Sequence, residues 1–502
     1  MELAYARLEA SLFRHWPESR PALAALSLPE VCRLQVDSRR LARGDVFVAV
    51  PGVAADGRHF IDDALASGAS LVLAHQDGQQ RHADPRVLWL TGLKETLGPL
   101  GQECFAVPDD LEVIGVTGTN GKSSVTHYLA ALSEALGVPT GLIGTLGQGR
   151  AGSLHDTGLT TPGPLSLQAA LGELAAAKMT RVAMEVSSHA LEQARLDGCR
   201  IRAAVFTNLS RDHLDYHGSM AGYAAAKARL FRRPELELAV VNGDDPLARL
   251  MLAGLAPGVR VLAVGEQEAT TLRVVDWVPH AQGQRALVAT PEGERVIELA
   301  LMGRFTLDNV LLAIAVLYGL GHPLEALFTA ASGLASVPGR MEALVTPGCP
   351  TVVIDYAHTP DALDNALAAL RAHLPGEGQL WCVFGCGGDR DTGKRALMGA
   401  AAERQADIIV VTDDNPRSEA PASIREQILT GLSREAREAA WNLGDRGHAL
   451  ARVLGDASAE DVVLIAGKGH ETCQEIAGVR HDFSDRVEAV NALSARSGRP
   501  GR

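Results

Sequence analysis

The sequence predicts an α/β chain of three domains, and three observations carry that reading. Its 502 residues, at roughly 150 per domain, leave room for three cores. Short apolar runs of strand length alternate with helix-length segments, the pattern of sheets with helical crossovers. A glycine-rich loop stands between one such run and a segment of helical period. Turn signals at Pro108-Asp109-Asp110 and Pro338-Gly339-Arg340 set the domains at 1–109, 110–339 and 340–502, the first being the smallest.

Composition excludes several classes of function. Hydrophobic residues make up 46% and charged residues 21%, which suits globular domains and not a disordered chain. Aromatics at 4% argue against base-stacking platforms. A net charge of -13 argues against a nucleic-acid partner. The seven cysteines are odd in number, scattered and without C-x-x-C spacing, so they read as reduced thiols. No signal-peptide pattern opens the chain, and the longest apolar run, 310–320, is shorter than the about 20 residues that span a bilayer. The expectation is a cytoplasmic monomer acting on small molecules, without membrane insertion.

In the first domain, 45–50 and 70–74 read as strands between helical stretches. The second domain opens with a buried-strand pattern over 113–117. Gly118-Thr119-Asn120-Gly121-Lys122-Ser123-Ser124 comes next, followed by Val125, Leu129, Leu132 and Leu136 at helical spacing. Strand, glycine loop, Lys-Ser and helix make a P-loop-type phosphate cradle. Backbone N–H groups and the helix N-terminus hold oxygens, Lys122 neutralises charge, and the Ser123 hydroxyl suits magnesium. The strict loop has Gly five residues before Gly121, where this chain has Val116, so the loop is a shortened variant.

A short strand in 183–189 delivers Glu185. After the apolar run 203–206, the segment 207–217 carries His213, His217, Asp212 and Asp215, hard oxygens with imidazole that suit magnesium or manganese as well as they suit a solvated loop. Periodicity alone reads Lys227 as a surface lysine.

The third domain has four apolar runs, 351–354, 380–384, 407–411 and 461–465, separated by helix-length segments. That pattern predicts a Rossmann-like parallel sheet, in which ligands lie beyond the carboxyl ends of the strands. The clusters 355–358, 385–390, 413–417 and 467–471 occupy those ends. Small and basic residues over 494–502 predict a frayed tail.

Gly118 to Ser124, Met184 to His189, Asn208 to His217, Asp355 to His358, Gly387 to Arg390, Asp414 to Arg417 and Gly467 to Glu471 stand in the order seen in Mur ligases, and the chain resembles that family from about Asp37 to Arg486. The resemblance implies ATP-dependent amide bond formation through an acyl phosphate. Within the family, it points to members that add meso-diaminopimelate to UDP-N-acetylmuramoyl-L-alanyl-D-glutamate in peptidoglycan precursor synthesis.

The resemblance also implies roles for single residues. Gly118, Thr119, Asn120, Gly121, Lys122, Ser123 and Ser124 would cradle the ATP phosphates, with Asn309, Arg340, Asp355 and His358 around the nucleotide. Ser123, Glu185 and His213 would hold magnesium, and Lys227 would be carbamylated; Lys122, Glu185, His213 and Lys227 form the catalytic set. Val36 and Ser38 would serve the uridine site, and Thr160, Thr161, Ser187, Gln193 and Arg195 the sugar-peptide. Arg390, Asp414, Asn415, Pro416, Arg417, Gly467 and Glu471 would form the amino-acid pocket, with Glu471 toward the distal ammonium. Diaminopimelate has a second carboxylate, which a planar guanidinium such as that of Arg417 binds with two parallel hydrogen bonds. Many relatives carry Asn where this chain has Thr306, some carry it where this chain has Leu159, and Ser124 stands for Thr. The competing readings are the same ligase chemistry with lysine as the amine, a nucleotide-binding switch, and a metal hydrolase built on the His/Asp segment.

Overall fold

A computed structural model describes residues 2–53, 55–78, 82–374 and 376–498; the last four residues of the predicted tail lie outside the described residues. The chain divides into two compact units. One holds the residues up to Gly115 with Val138–Ala204 and Ala225–Leu236; the other holds Val116–Gly137, Val205–Ala224 and Glu237 onward.

The first unit contains a four-stranded parallel sheet in the order Leu34–Gln35, Val46–Ala49, Leu71–Gln76, Val87–Thr91. Successive side chains of a strand point to opposite faces, and here both faces are covered. Val46, Val48, Leu71 and Leu73 join one core with Leu8 and Leu12 of the helix Tyr5–His15. Phe47, Ala49, Val72 and Ala74 join a second core with Ile61 and Ala64. The same unit pairs Arg181–Glu185 in parallel with Thr140–Gly144, which continues antiparallel into Gly147–Arg150 and Ser153–His155. Glu185 ends its strand, as the sequence predicts.

In the second unit, the helix Lys122–Ala135 buries Val125, Leu129 and Leu132. Strands Leu238–Asn242, Arg260–Gly265 and Leu272–His280 run parallel, and the last turns into an antiparallel meander through Gly283–Thr290 and Gly293–Leu299. The meander alternates exposed and buried residues too irregularly to be legible from the sequence. The helix Arg304–Gly319 is apolar nearly all round and accordingly buried, so the apolar run is core over 310–317 and half-buried over 318–320. Among the described residues, no helix is long and apolar enough to cross a membrane.

The six-stranded C-terminal sheet has the order Glu342–Leu344, Thr351–Asp355, Val462–Ala466, Leu380–Phe384, Ile408–Val411, Trp441–Asn442. All four predicted strands are present and parallel. Two short edge strands extend this sheet, and only the antiparallel one departs from the expected parallel arrangement. Glu342–Leu344 is antiparallel and Trp441–Asn442 parallel. Neither is long enough to leave a periodic signal. Alternate residues fill two cores, Val353, Cys382, Phe384 and Leu464 on one face and Val352, Trp381, Val383 and Val463 on the other. A hairpin of Cys473–Ile476 and Val479–Asp482 follows the fourth of these parallel strands.

Candidate active site

The glycine loop joins the strand Glu112–Thr117 to the helix Lys122–Ala135. Its glycines are dictated by what touches them. A Cβ on Gly118 would lie 1.8 Å from Thr207 Oγ1, and one on Gly121, at φ 83°, would lie 2.6 Å from Asn309 Oδ1. Residues 207–210 strap the loop down. Thr119 N donates to the Asn208 carbonyl at 2.9 Å, Asn120 N to Asn208 Oδ1 at 3.0 Å, and Ser210 N to Thr119 Oγ1 at 3.0 Å. Lys122 Nζ donates to the carbonyls of Gly118 at 3.0 Å and Thr119 at 2.8 Å. Ser123 is buried, and Ser124 stands partly exposed on the same turn.

Around this loop the structure gathers most of the expected nucleotide residues. Asn309 faces Gly121. Arg340 reaches Ser123 Oγ with Nη2 at 3.4 Å, while its guanidinium lies over the Tyr356 ring, 4.4 Å from the centroid. Its Nε is a buried donor without a hydrogen-bond partner, a group suited to an anionic ligand. The Asp355 carboxylate accepts from Met341 N at 2.7 Å and Ala357 N at 2.8 Å; burial raises its pKa against the opposing pull of Arg340 and these amides. His358 is exposed, 4.8 Å ring to ring from Tyr356, and its carbonyl accepts from Lys394 Nζ at 2.8 Å. Thr306 is buried at the start of the helix that carries Asn309.

In the His/Asp segment, His213 adopts φ 52° and stands half exposed, with Nε2 3.5 Å from Asp212 Oδ2 and its ring against Tyr223. The Tyr223 hydroxyl lies 3.2 Å from Thr119 Oγ1, which ties this segment to the loop. Among the described residues, no three His, Cys, Asp or Glu side chains gather as a ligand set. A magnesium ion suits such sparse protein donors, because it keeps waters and substrate phosphates as ligands.

The first unit has its own network. Glu185 Oε1 accepts from Thr145 N at 2.9 Å, and Oε2 from Thr145 Oγ1 at 3.2 Å. Thr145 Oγ1 is also 3.0 Å from Thr160 Oγ1. Thr161 Oγ1 donates to the Glu185 carbonyl at 2.9 Å and accepts from Ser187 N at 3.1 Å. Arg195 donates to the Thr161 carbonyl at 2.8 Å and holds Gln193 Oε1 with Nε and Nη2. Thus Thr160, Thr161, Ser187, Gln193 and Arg195, dispersed in the sequence, converge on Glu185. Ser187 Oγ caps the helix Ser188–Glu192. Val36 is exposed, and Ser38 begins a short helical turn after the strand Leu34–Gln35. Leu159 is half exposed. Lys227 is 1% exposed on the helix Met220–Ala228, which overturns the reading of a surface lysine.

The amino-acid residues also converge, at the carboxyl ends of the C-terminal strands. Asn415 Nδ2 donates to Glu471 Oε2 at 2.9 Å. A Cβ on Gly467, at φ 113°, would lie 2.7 Å from Asp414 Oδ2, so glycine lets the two loops meet. Arg417 takes φ 51° and donates through Nη1 to the Gly388 carbonyl at 2.7 Å, with Nε 3.4 Å from Glu475 Oε2. The hairpin holds its backbone: Arg417 N donates to the Glu475 carbonyl at 3.0 Å, and Ala477 N to the Arg417 carbonyl at 2.7 Å. The Pro416 carbonyl lies against Gly388, and Arg390 is exposed at the tip of its loop. Thr145 and Glu475 escaped the sequence reading, while Tyr356 and Lys468 lay inside the strand-end clusters 355–358 and 467–471 without a role of their own.

Three family models lie along the chain: the Mur ligase family catalytic domain over 30–96, the Mur ligase middle domain over 116–317, and the Mur ligase glutamate ligase domain over 339–469. A UDP-N-acetylmuramoyl-L-alanyl-D-glutamate--2,6-diaminopimelate ligase of Pseudomonas putida is 46% identical over 478 residues, covering 93% of this chain and 96% of that one. A ligase of the same name from Xanthomonas campestris pv. campestris is 44% identical, covering 95% and 97%. A solved structure bearing that enzyme name superposes with a TM-score of 0.68 at 36% identity, covering 93% of this chain and 95% of that chain. With relatives this similar over nearly their whole length, and three family models along it, the chain belongs to the Mur ligase family.

Proposed function

We propose that the protein is an ATP-dependent amide ligase joining meso-diaminopimelate to UDP-N-acetylmuramoyl-L-alanyl-D-glutamate, the reaction its relatives are named for. The observation that carries the choice of amine is Arg417, a guanidinium oriented by the Gly388 carbonyl and Glu475 beside Asn415 and Glu471. Such a fork suits the second carboxylate that diaminopimelate has and lysine lacks.

In this reading the three family-model segments correspond to domains over 1–109, 110–339 and 340–502. The loop 118–124 holds the ATP phosphates, and Lys122 leaves the loop carbonyls to meet phosphate oxygens. Asn309, Arg340, Asp355 and His358 surround the nucleotide. The substrate carboxylate attacks the γ-phosphorus, releasing ADP and forming an acyl phosphate. The neutral amine then attacks the acyl carbon, and collapse of the tetrahedral intermediate expels phosphate, which leaves with the proton that the amine gives up. Thr160, Thr161, Ser187, Gln193 and Arg195 orient the sugar-peptide, and Val36 and Ser38 contact its uridine end. The same reading gives magnesium to Ser123, Glu185 and His213 and a carbamate to Lys227; bound magnesium neutralises the charge of the transferring phosphoryl group. The protein works as a cytoplasmic monomer.

The test is phosphate release from ATP and magnesium with the UDP-muramoyl dipeptide, supplying diaminopimelate or lysine, with mass detection of product. Product with diaminopimelate is expected, and Arg417→Ala should lower kcat/KM for it at least about a hundredfold while costing lysine far less. Product with lysine alone would overturn the amine. ATP binding with no amine dependence would favour a nucleotide switch.

A further inference from the structure

Lys468 is a fully buried cation of the amino-acid pocket, with a side chain 0% exposed. Its three N–H donors have three acceptors: Glu471 Oε2 at 2.9 Å, Asn415 Oδ1 at 3.1 Å and the Cys473 carbonyl at 2.7 Å. One ammonium therefore ties together the loop after Ile408–Val411, the loop after Val462–Ala466 and the start of the hairpin. Asn415 Oδ1 also accepts from Glu475 N at 3.0 Å, so the same knot reaches the residue beside Arg417.

The two ion pairs at the knot are each matched: Lys468 pairs with Glu471, and Arg417 faces Glu475. Arg390 and Asp389 stand side by side on one loop and add one charge of each sign, Asp414 adds a negative charge near the closed pair Arg446–Asp485, and Arg425–Asp413 is a second closed pair. Two matched pairs side by side are complementary to a distal group that carries both an ammonium and a carboxylate. Their partners can exchange from protein pairs to ligand pairs without leaving a charge over. A distal ammonium alone brings one uncompensated positive charge, and a site whose ionic groups are left mismatched rejects that ligand.

Resting on the diaminopimelate reading above, we infer that Lys468 is a specificity-determining positioning residue. It fixes Glu471 and Asn415, and by compensating Glu471 it turns the pocket against amines whose far end is only cationic. Glu475 is its counterweight, compensating Arg417 from the hairpin.

The two residues make opposite predictions for one ratio, kcat/KM for diaminopimelate over kcat/KM for lysine, measured on the full chain with ATP and magnesium. Lys468→Met leaves an extra negative charge and should lower the ratio about tenfold, with KM for the amine moving and KM for ATP steady. Glu475→Gln leaves an extra positive charge on a partly exposed pair and should raise the ratio about twofold to threefold. Lys468→Arg keeps the charge and should restore part of the preference. A loss of overall rate with the ratio unchanged in folded Lys468→Met would overturn the inference, because a merely structural lysine affects both amines alike. If Lys468→Met does not fold, Glu475→Gln decides: a raised ratio supports the inference, and an unchanged or lowered one overturns it. Wild-type protein that makes no product with diaminopimelate would instead overturn the amine reading itself, and the inference with it.

Discussion

The phosphate loop and the amino-acid pocket are both built from loops at strand ends, yet they are held by opposite means. Apart from the Lys122 ammonium on two of its own carbonyls, neutral groups strap the loop: backbone amides, Asn208, Thr207 and Ser210, with two glycines where a side chain would collide. Ion pairs set the pocket and its floor: Lys468–Glu471, Arg417–Glu475, Arg395–Glu419 and the fully buried Arg446–Asp485. A site that must receive several phosphate charges keeps its fixed charges few, whereas a site for a zwitterion can carry balanced charges of its own. The loop should therefore fail when an atom is added, and the pocket when a charge is removed.

Removal of a buried charge gives the largest expected loss of stability. Arg446 holds Asp485 through Nε at 2.7 Å and Nη2 at 2.8 Å, with both side chains 0% exposed, and Nη2 also donates to the Ala466 carbonyl at 2.9 Å. Arg446→Met should cost about 3–5 kcal/mol in urea unfolding, because the carboxylate is left buried without its partner. Adding Asp485→Asn should return part of that loss. If the single variant loses less than about 1 kcal/mol, the contrast between the regions is broken.

Gly118→Ala tests the other side. Its methyl would meet Thr207 Oγ1 at 1.8 Å, so a loss of about 2–3 kcal/mol is expected, together with weaker nucleotide binding by titration calorimetry. Thr207→Ala in the same chain should recover some stability. An unchanged thermal midpoint would show that the strap can give way.

Thr145→Val sharpens the comparison with the Glu185 network of the first unit. It removes the hydroxyl shared by Glu185 and Thr160 while the Thr145 amide keeps its bond to Glu185. The expected cost is about 1–2 kcal/mol, with KM for the UDP-dipeptide raised and KM for the amine steady.

The smallest effect is a pH dependence at the buried His373. His373 is buried, its Nε2 accepts from Gly303 N at 2.8 Å and its Nδ1 lies 2.9 Å from the His280 carbonyl, so the neutral ring fits with Nδ1–H as donor. Gly303 begins the helix that brings Asn309 to Gly121. Burial lowers the His373 pKa below its ordinary 6.5, so the unfolded chain binds this proton more readily than the folded one. Its contribution is complete above about pH 6.5 and lost as pH falls below that value, with a slope of at most about 1.4 kcal/mol per pH unit. Unfolding free energies of His373→Gln should fall less steeply with acid than those of the wild type; identical slopes would refute the assignment.

The sequence by itself determined the pieces whose chemistry is contiguous in the chain. Strand, Gly118 to Ser124 and helix are legible because the cradle is local, and the four C-terminal strands because residues buried on both faces must be apolar throughout. The short edge strands, the meander and the hairpin left no period to read, since pairing partners rather than their own composition hold them. Only the tertiary structure buried Lys227, brought Thr145 to Glu185, set Glu475 beside Arg417 and closed Lys468 onto Asn415, 53 residues away. Burial and charge pairing are properties of what surrounds a residue, and a chain written in one dimension does not contain that neighbourhood until the sheets have brought their strand ends together.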